Sequence, residues 1–223
     1  MKELKAIIFD MDGVLVDSEP WHYEIECKLF KELGLDVPDE VHLTYIGTDG
    51  DYMYSDLKKR YNVSMTLPEL MEWDSKQRVE FFRHMDNLKP NPGLIDLLQE
   101  LRNSDIKIGI ATSSILDIVR IILEKCGIES YFESITTTEQ AGKSKPAPDV
   151  YLMAAKSLGV APEHCLVFED SFSGINAAKS AGMFCIAYQP HNDLLQDASR
   201  ADKLIHSFGE INLSLIHKYF EEG

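Results

Sequence analysis

"LKAIIFDMDGVLVDSE", Leu4–Glu19, decides the fold. The apolar run Ala6–Phe9 reads as a buried parallel strand, hydrophobic along its whole length because both faces are covered. It stops at a cluster of like charges: Asp10, Asp12 and Asp17 fall within eight positions, with Gly13 among them. Folding ordinarily keeps such groups apart, since neighbouring carboxylates disfavour joint ionisation. A core strand ending in them needs an explanation at its carboxyl end, where open α/β sheets bind ligands.

The chain beyond repeats the strand pattern. Short β-rich runs at Ile106–Ala111, Ser134–Thr136, Cys165–Phe168, Phe184–Ala187 and Lys203–Ile205 alternate with helical segments. Pro92–Leu101 carries Asn91 as a possible N-cap and Pro92 at the first helical position, where a missing N–H costs nothing. Ser114–Lys125, Asp149–Leu158 and Gly174–Ala181 each run up to a glycine, Gly127, Gly159 and Gly182, as helices with a left-handed C-cap do. This alternation predicts an α/β fold with a doubly wound, mostly parallel, Rossmann-type sheet.

Residues 17–88 break the rhythm. They offer no convincing strand but recurrent helical spacing, with Tyr23, Ile25, Leu29, Phe30 and Leu33, then Leu70, Trp73, Val79 and Phe82. We expect a helical insertion over 17–88, placed as a lid after the first strand, and a core built from 1–16 and 89–223. The aromatics Trp21, Tyr23, Trp73, Phe81 and Phe82 are expected in the core of that insertion.

The 223 residues carry a formal net charge of −15. Such acidity opposes a nucleic-acid or anionic-membrane partner and otherwise serves solubility. Cys27, Cys126, Cys165 and Cys185 are scattered, with no zinc or redox spacing. The N-terminal apolar run is too short for a signal peptide, and nothing approaches the roughly 20 apolar residues of a membrane span. These features suit a cytoplasmic protein with no membrane partner, for which a monomer is sufficient.

The strand ends bring together a specific set of side chains. The first strand gives Asp10 and Asp12; the second gives Thr112, Ser113 and Ser114; the fourth gives Glu169 and Asp170. Lys143 and Lys145 lie in the loop "GKSKPAPD". Clustered carboxylates need a counter-charge, and a hard cation such as Mg²⁺ takes one or two of them while keeping several waters. Asp10 and Asp170 are the best candidates to hold it, leaving Asp10 an oxygen for nucleophilic attack. Asp12 is near enough for acid–base work if the Gly13 turn swings it back. Thr112 and the N–H groups after it suit phosphoryl oxygens, and Lys145 suits their charge. A carboxylate approaching a phosphoryl anion meets about 4 kcal/mol of repulsion per charge pair roughly 4 Å apart at an effective dielectric of about 20. A divalent ion and a lysine cancel it, which is the main source of catalysis in phosphoryl transfer.

Four blocks, "FDMDGVLVDSE", "GIATSS", "SKPAPDVY" and "VFEDSFSGINAA", occur in an order that resembles the haloacid dehalogenase superfamily, in its branch with a helical cap after the first strand. The resemblance spans the chain, more loosely in the cap. It implies Asp10 as nucleophile, Asp12 as acid/base and, through its main-chain carbonyl, a metal ligand. It further implies Thr112 and Lys145 as phosphate and intermediate stabilisers, Asp170 as a Mg²⁺ ligand, and Glu169 at or just behind the metal. Each position also has a plainer reading. Asp10 and Asp12 fit a turn before Gly13, Glu169 and Asp170 fit the start of the helix near Ser171, and Thr112 fits an N-cap. Lys143 reads as solvated. Ser113 and Ser114 read as supporting contacts. In the cap, His22 resembles a hinge histidine facing substrate, or is a surface histidine. Lys76 resembles a substrate-contacting lysine, or is simply solvated.

The reaction implied is Mg²⁺-dependent hydrolysis of a small phosphomonoester, a sugar phosphate by preference, through an aspartyl phosphate. The alternative is a β-phosphoglucomutase-like mutase. Where such mutases present an arginine to the distal phosphate, this sequence reads "IGTDGDYMYSD", with Asp49 and Asp51 and no arginine. Arg60, Lys59 or Lys76 would have to substitute. A phospho-accepting signalling domain or a silent scaffold is the distant alternative.

Overall fold

The computed structural model describes residues 3–45, 50–190 and 197–222. Its contacts divide the chain into two compact units, Ser18–Asp86 and the sequence on either side of it. The strand β1 (Ala6–Phe9) opens the first unit and is buried at every position. The helices α1 (Glu19–Glu32), α2 (Asp39–His42), α3 (Gly50–Tyr61) and α4 (Leu67–His84) make up the second. The chain then returns as α5 (Leu94–Arg102), β2 (Lys107–Thr112), α6 (Leu116–Cys126), β3 (Ser134–Thr137), α7 (Thr138–Ala141), α8 (Asp149–Leu158), β4 (Cys165–Glu169), α9 (Phe172–Ser180), β5 (Phe184–Tyr188), β6 (Lys203–Ile205) and α10 (Leu213–Glu222).

The six strands form one sheet in the order β3-β2-β1-β4-β5-β6, and every pairing is parallel. The fold is the doubly wound α/β architecture expected from the alternation of strands and helices. The order reverses direction between β1 and β4, so the crevice of such a sheet opens where these two strands end. Phe9 pairs in register with Phe168, and their rings stack 5.0 Å apart. Phe208 packs on Phe168, and Tyr188 stacks on Phe208 at 4.5 Å, closing one face with aromatics. The other face buries Ala6, Ile8 and Val167 under Val150, Tyr151 and Ala154 of α8 and Ile175 and Ala178 of α9. Among the described residues no helix is long and apolar enough to cross a membrane.

Several helix starts depart from the sequence expectation, each for a hydrogen-bonding reason. Asn91 does not cap α5. That helix begins at Leu94 behind Gly93, whose φ of 82° is left-handed. Asn91 instead donates from Nδ2 to the carbonyls of Gly13 (3.0 Å) and Val14 (2.8 Å), and its N–H binds Leu15 O. Val14 and Leu15 are fully buried, so their main-chain acceptors need a protein donor. The helix α6 starts at Leu116 rather than Ser114, because Ser114 N–H is held by Thr112 Oγ1 at 3.0 Å. Thr112 therefore forms a local turn and does not cap α6.

The helical unit has its own core of Phe30, Tyr45, Met53, Tyr54, Leu57 and Leu70. Thr66 starts α4 with a capping box, accepting from Glu69 N–H while Glu69 accepts from Thr66 N–H. Phe82 is buried there, with Trp21 edge-on, but Tyr23 stands at the surface rather than in the core. A charged cluster crosses this unit. Arg78, 15 % exposed, donates from Nε to both oxygens of Asp74 at 2.9 and 2.8 Å and from Nη2 to Glu26 at 3.1 Å. Tyr54 OH donates to Asp74 at 2.6 Å. Removing one member of a buried charge network leaves the others uncompensated, at about 3–5 kcal/mol. Arg78→Leu is therefore expected to unfold the helical unit at markedly lower urea, followed by the fluorescence of Trp21 and Trp73, the chain's two tryptophans. Arg60→Leu, which removes only an exposed pair with Asp56, is expected to leave the midpoint nearly unchanged. Equal midpoints for the two variants would contradict a structural role for Arg78.

Candidate active site

The acids expected at the strand ends sit around one buried lysine. Lys145, 6 % exposed at its side chain, places Nζ 2.5 Å from Asp10 Oδ1 and 2.7 Å from Glu169 Oε1. It also reaches Ala111 O at 3.3 Å and lies over the ring of Tyr151, 5.0 Å from its centre. Because β1 lies between β2 and β4, one amine at the edge of the sheet touches the ends of all three strands. Lys143 is exposed and pairs with Asp149.

Glu169 is fully buried, and both of its oxygens are engaged. Oε1 accepts from Lys145 and from Tyr151 OH at 2.9 Å; Oε2 accepts from Ser171 N–H and Oγ at 2.9 and 3.0 Å. A carboxylate so fully satisfied anchors the lysine and has no lone pair pointing outward for a cation. The helix α9 is capped by Ser171, whose Oγ accepts from Gly174 N–H at 3.0 Å.

Asp12 is held by Ser114, whose hydroxyl donates to Asp12 Oδ2 at 2.5 Å. The turn that carries it back has Gly13 at φ 76°. A Cβ at Gly13 would fall 2.1 Å from Asp170 Oδ2, so Gly13 lets the backbone lie directly against the Asp170 carboxylate. Thr112 is fully buried beside this turn, while Ser113 is exposed.

The charges interact. Burial pushes the Asp10 carboxyl up to about 8, against the pull of Lys145 and aided by Glu169 and Asp12. Burial and the charges of Glu169 and Asp10 also raise Asp170 well above the carboxylate range. Burial would lower Lys145, but Asp10 and Glu169 outweigh it and hold the amine charged. Glu169 is likewise disfavoured by burial, yet Lys145 and its other donors pull it below its ordinary value. Of the four carboxylates only Asp10 and Glu169 contact the lysine, and burial together with neighbouring acids disfavours the ionised forms of Asp10 and Asp170. Among the described residues no three His, Cys, Asp or Glu side chains form a ready ligand cage.

The expected cap residues belong to the helical unit. His22 Nδ1 lies 3.3 Å from Arg78 Nη1, and its ring is edge-on to Phe82. Lys76 is exposed and pairs with Glu72 at 2.6 Å. Asp49 lies outside the described residues. Sequence reading missed Tyr151, Asn91 and Arg78. The spacing of Tyr151 six residues after Lys145, in the first turn of α8, was the available signal for the first.

Residues 7–188 match the family model described as haloacid dehalogenase-like hydrolase. The chain belongs to that family. This haloacid dehalogenase-like hydrolase is 37 % identical over 184 residues to the protein YhcW of Bacillus subtilis, covering 82 % of each chain. It is 32 % identical over 180 residues to a phosphorylated carbohydrates phosphatase of Thermotoga maritima, covering 81 % of this chain and 82 % of that one. Among solved structures, a β-phosphoglucomutase of Clostridium difficile superposes with a TM-score of 0.82 at 26 % identity, covering 98 % of both chains. The helical unit after the first strand is the cap of this enzyme family.

One substitution separates packing from propensity. Gly174 lies inside α9, where alanine is ordinarily favoured by about 1 kcal/mol. Its Cβ would fall 1.5 Å from Glu169 Oε1. Gly174→Ala is therefore expected to lower the melting temperature and to abolish activity by displacing Glu169 from Lys145. A stabilised, active variant would show that Glu169 is not confined as described.

Proposed function

We propose that this hydrolase is a Mg²⁺-dependent phosphatase of small phosphorylated metabolites, sugar phosphates by preference, acting through an aspartyl phosphate on Asp10. The observation that carries the reading is the buried Lys145 bonded to Asp10, with Asp12 two residues on and held separately by Ser114. It gives two carboxylates different surroundings, and so different tasks.

In the first half-reaction a carboxylate oxygen of Asp10 attacks phosphorus. Asp12, protonated at that moment, gives its proton to the departing alkoxide oxygen. In the second half Asp12, now ionised, takes a proton from water as the water attacks the acyl phosphate, which returns Asp10 as carboxylate and releases inorganic phosphate. Ser114 keeps Asp12 in place through both transfers. Lys145 balances charge on the phosphoryl oxygens, and Thr112 with the N–H groups after it orients them. Glu169 and Tyr151 hold the lysine.

The donor set fits a hard cation. Asp10 and Asp170 supply carboxylates whose ionised forms burial disfavours, and Asp12 its main-chain carbonyl, a set that suits an ion retaining several waters. Bound there, Mg²⁺ would supply charge neutralisation for an anionic substrate approaching acidic groups.

A second reading, phosphoryl transfer back to another hydroxyl of a sugar, draws on the likeness to the β-phosphoglucomutase over nearly the whole chain. It needs a cation for a second phosphate. Of the three substitutes named in the cap, Arg60 lies against Asp56 at 2.6 Å and Lys76 against Glu72, while Lys59 is exposed on α3. Hydrolysis of monoesters is the better fit.

A panel of sugar phosphates and other phosphomonoesters, assayed for both free phosphate and isomerised product, tests this. Phosphate release is expected, lost on chelation with EDTA, restored by Mg²⁺ and abolished in Asp10→Asn. Isomerised product without phosphate release would establish the mutase instead, and no turnover of any ester would end both readings.

Metal binding carries a pH signature. An unfolded Asp ionises near pH 4, while burial holds the native Asp10 carboxyl protonated up to about 8. The native state thus keeps an extra proton between these values, and the metal-free protein loses that stabilisation as pH rises through the window. A cation takes the proton's place, so Mg²⁺ is expected to raise the melting temperature more at about pH 8 than at about pH 5. An equal or smaller gain at the higher pH would contradict the ligand assignment.

A further inference from the structure

The helical unit holds a second polar array, separate in sequence from the acids of the sheet. Cys27 on α1 places Sγ 3.7 Å from Nδ1 of His42 on α2. The other ring nitrogen, Nε2, lies 2.8 Å from Glu26 Oε2. The second oxygen of Glu26 accepts from Arg78 Nη2 at 3.1 Å. His42 is 2 % exposed, its ring clamped between a parallel stack on Tyr23 at 4.3 Å and the edge of Phe30 at 4.9 Å.

These contacts fix the proton on the imidazole. A guanidinium only donates, so Glu26 is held as an ionised acceptor. Its other oxygen must then receive the Nε2 proton of His42. In the neutral ring that leaves the lone pair on Nδ1, directed at the thiol of Cys27. Nucleophile, base and orienting carboxylate stand in the order that activates a cysteine. A buried histidine that served packing alone would not need its free nitrogen turned to a half-buried thiol. The thiol also opens to space a ligand can use. Cys27 lies with Tyr23, Glu24, Lys28, Lys31 and Glu32 on one open face of α1, over a shallow space of about 660 Å³. Lys28 and Glu32 pair with each other at 3.8 Å, and Lys31 and Glu24 beside them give the face both charge signs, which suits a small zwitterionic disulfide of peptide character.

We propose that Cys27 is a site of reversible mixed-disulfide formation, with His42 as its base and Glu26 as the group that orients the base. The thiol proton passes to His42 Nδ1. The thiolate attacks one sulfur of a small disulfide; a new S–S bond forms to Cys27 and the old S–S bond breaks. The departing thiolate takes the proton back from His42 and leaves as a thiol, so no other oxidant is consumed. The remaining cysteines have no such arrangement. Cys165 and Cys185 are buried, and burial pushes Cys126, partly exposed like Cys27, up to about 11.

The groups that bear on the thiol's ionisation are Tyr23, Glu24, Glu26, Lys28, Lys31 and Glu32 of α1, Asp39 and His42 of α2, and Arg78 of α4 behind Glu26. Among them the Tyr23 hydroxyl and His42 Nδ1 contact the sulfur, and of the two His42 is the base. Its loss therefore has a distinct signature.

The reduced, intact protein is treated with glutathione disulfide at pH 7, and adducts are located by peptide mass spectrometry. Cys27 is expected to be modified at least about tenfold faster than Cys126, and dithiothreitol to reverse the adduct. Glu26→Gln and His42→Gln are expected to slow the reaction about tenfold at pH 7 and to approach the wild-type rate above about pH 9, where a thiol ionises unaided. If His42→Gln fails to fold by circular dichroism, the wild-type pH–rate profile decides. An assisted thiol varies little between about pH 6.5 and 8, whereas an unassisted one gains about tenfold per unit. Modification of Cys126 before Cys27, an unassisted wild-type profile, or a wild-type rate in folded Glu26→Gln and His42→Gln would each overturn the proposal.

Discussion

Lys145 is the constraint on which the core depends. A buried ammonium is stable only if its surroundings supply charge and hydrogen-bond acceptors in full. Here they come from four separate segments: Asp10 after β1, Ala111 in β2, Glu169 at the end of β4, and the ring of Tyr151 on α8. Each is in place only when the parallel order of the sheet and the packing of α8 across β1 and β2 are both correct. Fold and site are in this sense one object. The strand order that buries Phe9 against Phe168 also sets Asp10 beside Glu169 and Asp170.

The same logic explains two glycines. Glu169 can anchor Lys145 only if its carboxylate is itself confined, and Ser171, Tyr151 and the bare backbone at Gly174 confine it. Asp170 can stand under-compensated beside Asp10 only because Gly13 gives it room. A side chain at either position would move an acid by more than a bond length, and catalytic positioning fails over smaller distances than that. The left-handed φ of Gly13 adds a second reason for glycine there, independent of the space.

Much of this was legible in the sequence. Short β-rich runs identified the six strands, and the acids or hydroxyls after the first, second and fourth identified their chemistry, because burial on both faces and a change of residue type are local signals. The glycines after α6 and α8 marked those helix ends for the same reason. What escaped depends on partners distant in sequence. Asn91 looked like a helix cap until the buried carbonyls of Gly13 and Val14, nearly eighty positions away, claimed its amide. Tyr151 reads as an ordinary core aromatic unless Glu169 is known to face its hydroxyl. Arg78, in a helix whose other charges are mostly solvated, gives no local sign that Asp74, Glu26 and His22 enclose it. The bounds of α5 and α6 shifted because side chains near them bind the loop after β1, or its neighbours, instead of the helix.

The distribution of cations bears on the chemistry. Mutases and hydrolases of this kind share the first half-reaction and differ in what accepts the phosphoryl group from the aspartate. A mutase must keep a doubly phosphorylated sugar bound while that sugar turns over, which requires a second site of positive charge. The cap stretch where such charge would be expected contains Asp49 and Asp51, and nearby Arg60 and Lys76 are engaged with their own acids one helical turn away. Arg78 is committed to Asp74 and Glu26 in the interior of the unit, where it could release them only by leaving two buried carboxylates unpaired. Exposed pairs such as those of Arg60 and Lys76 hold their cations only weakly, so the firmer constraint on the mutase reading is the acidic pair Asp49 and Asp51 in the cap stretch. On the proposed reading water is the acceptor, and the acidic stretch opposes retention of a second phosphate through like charge.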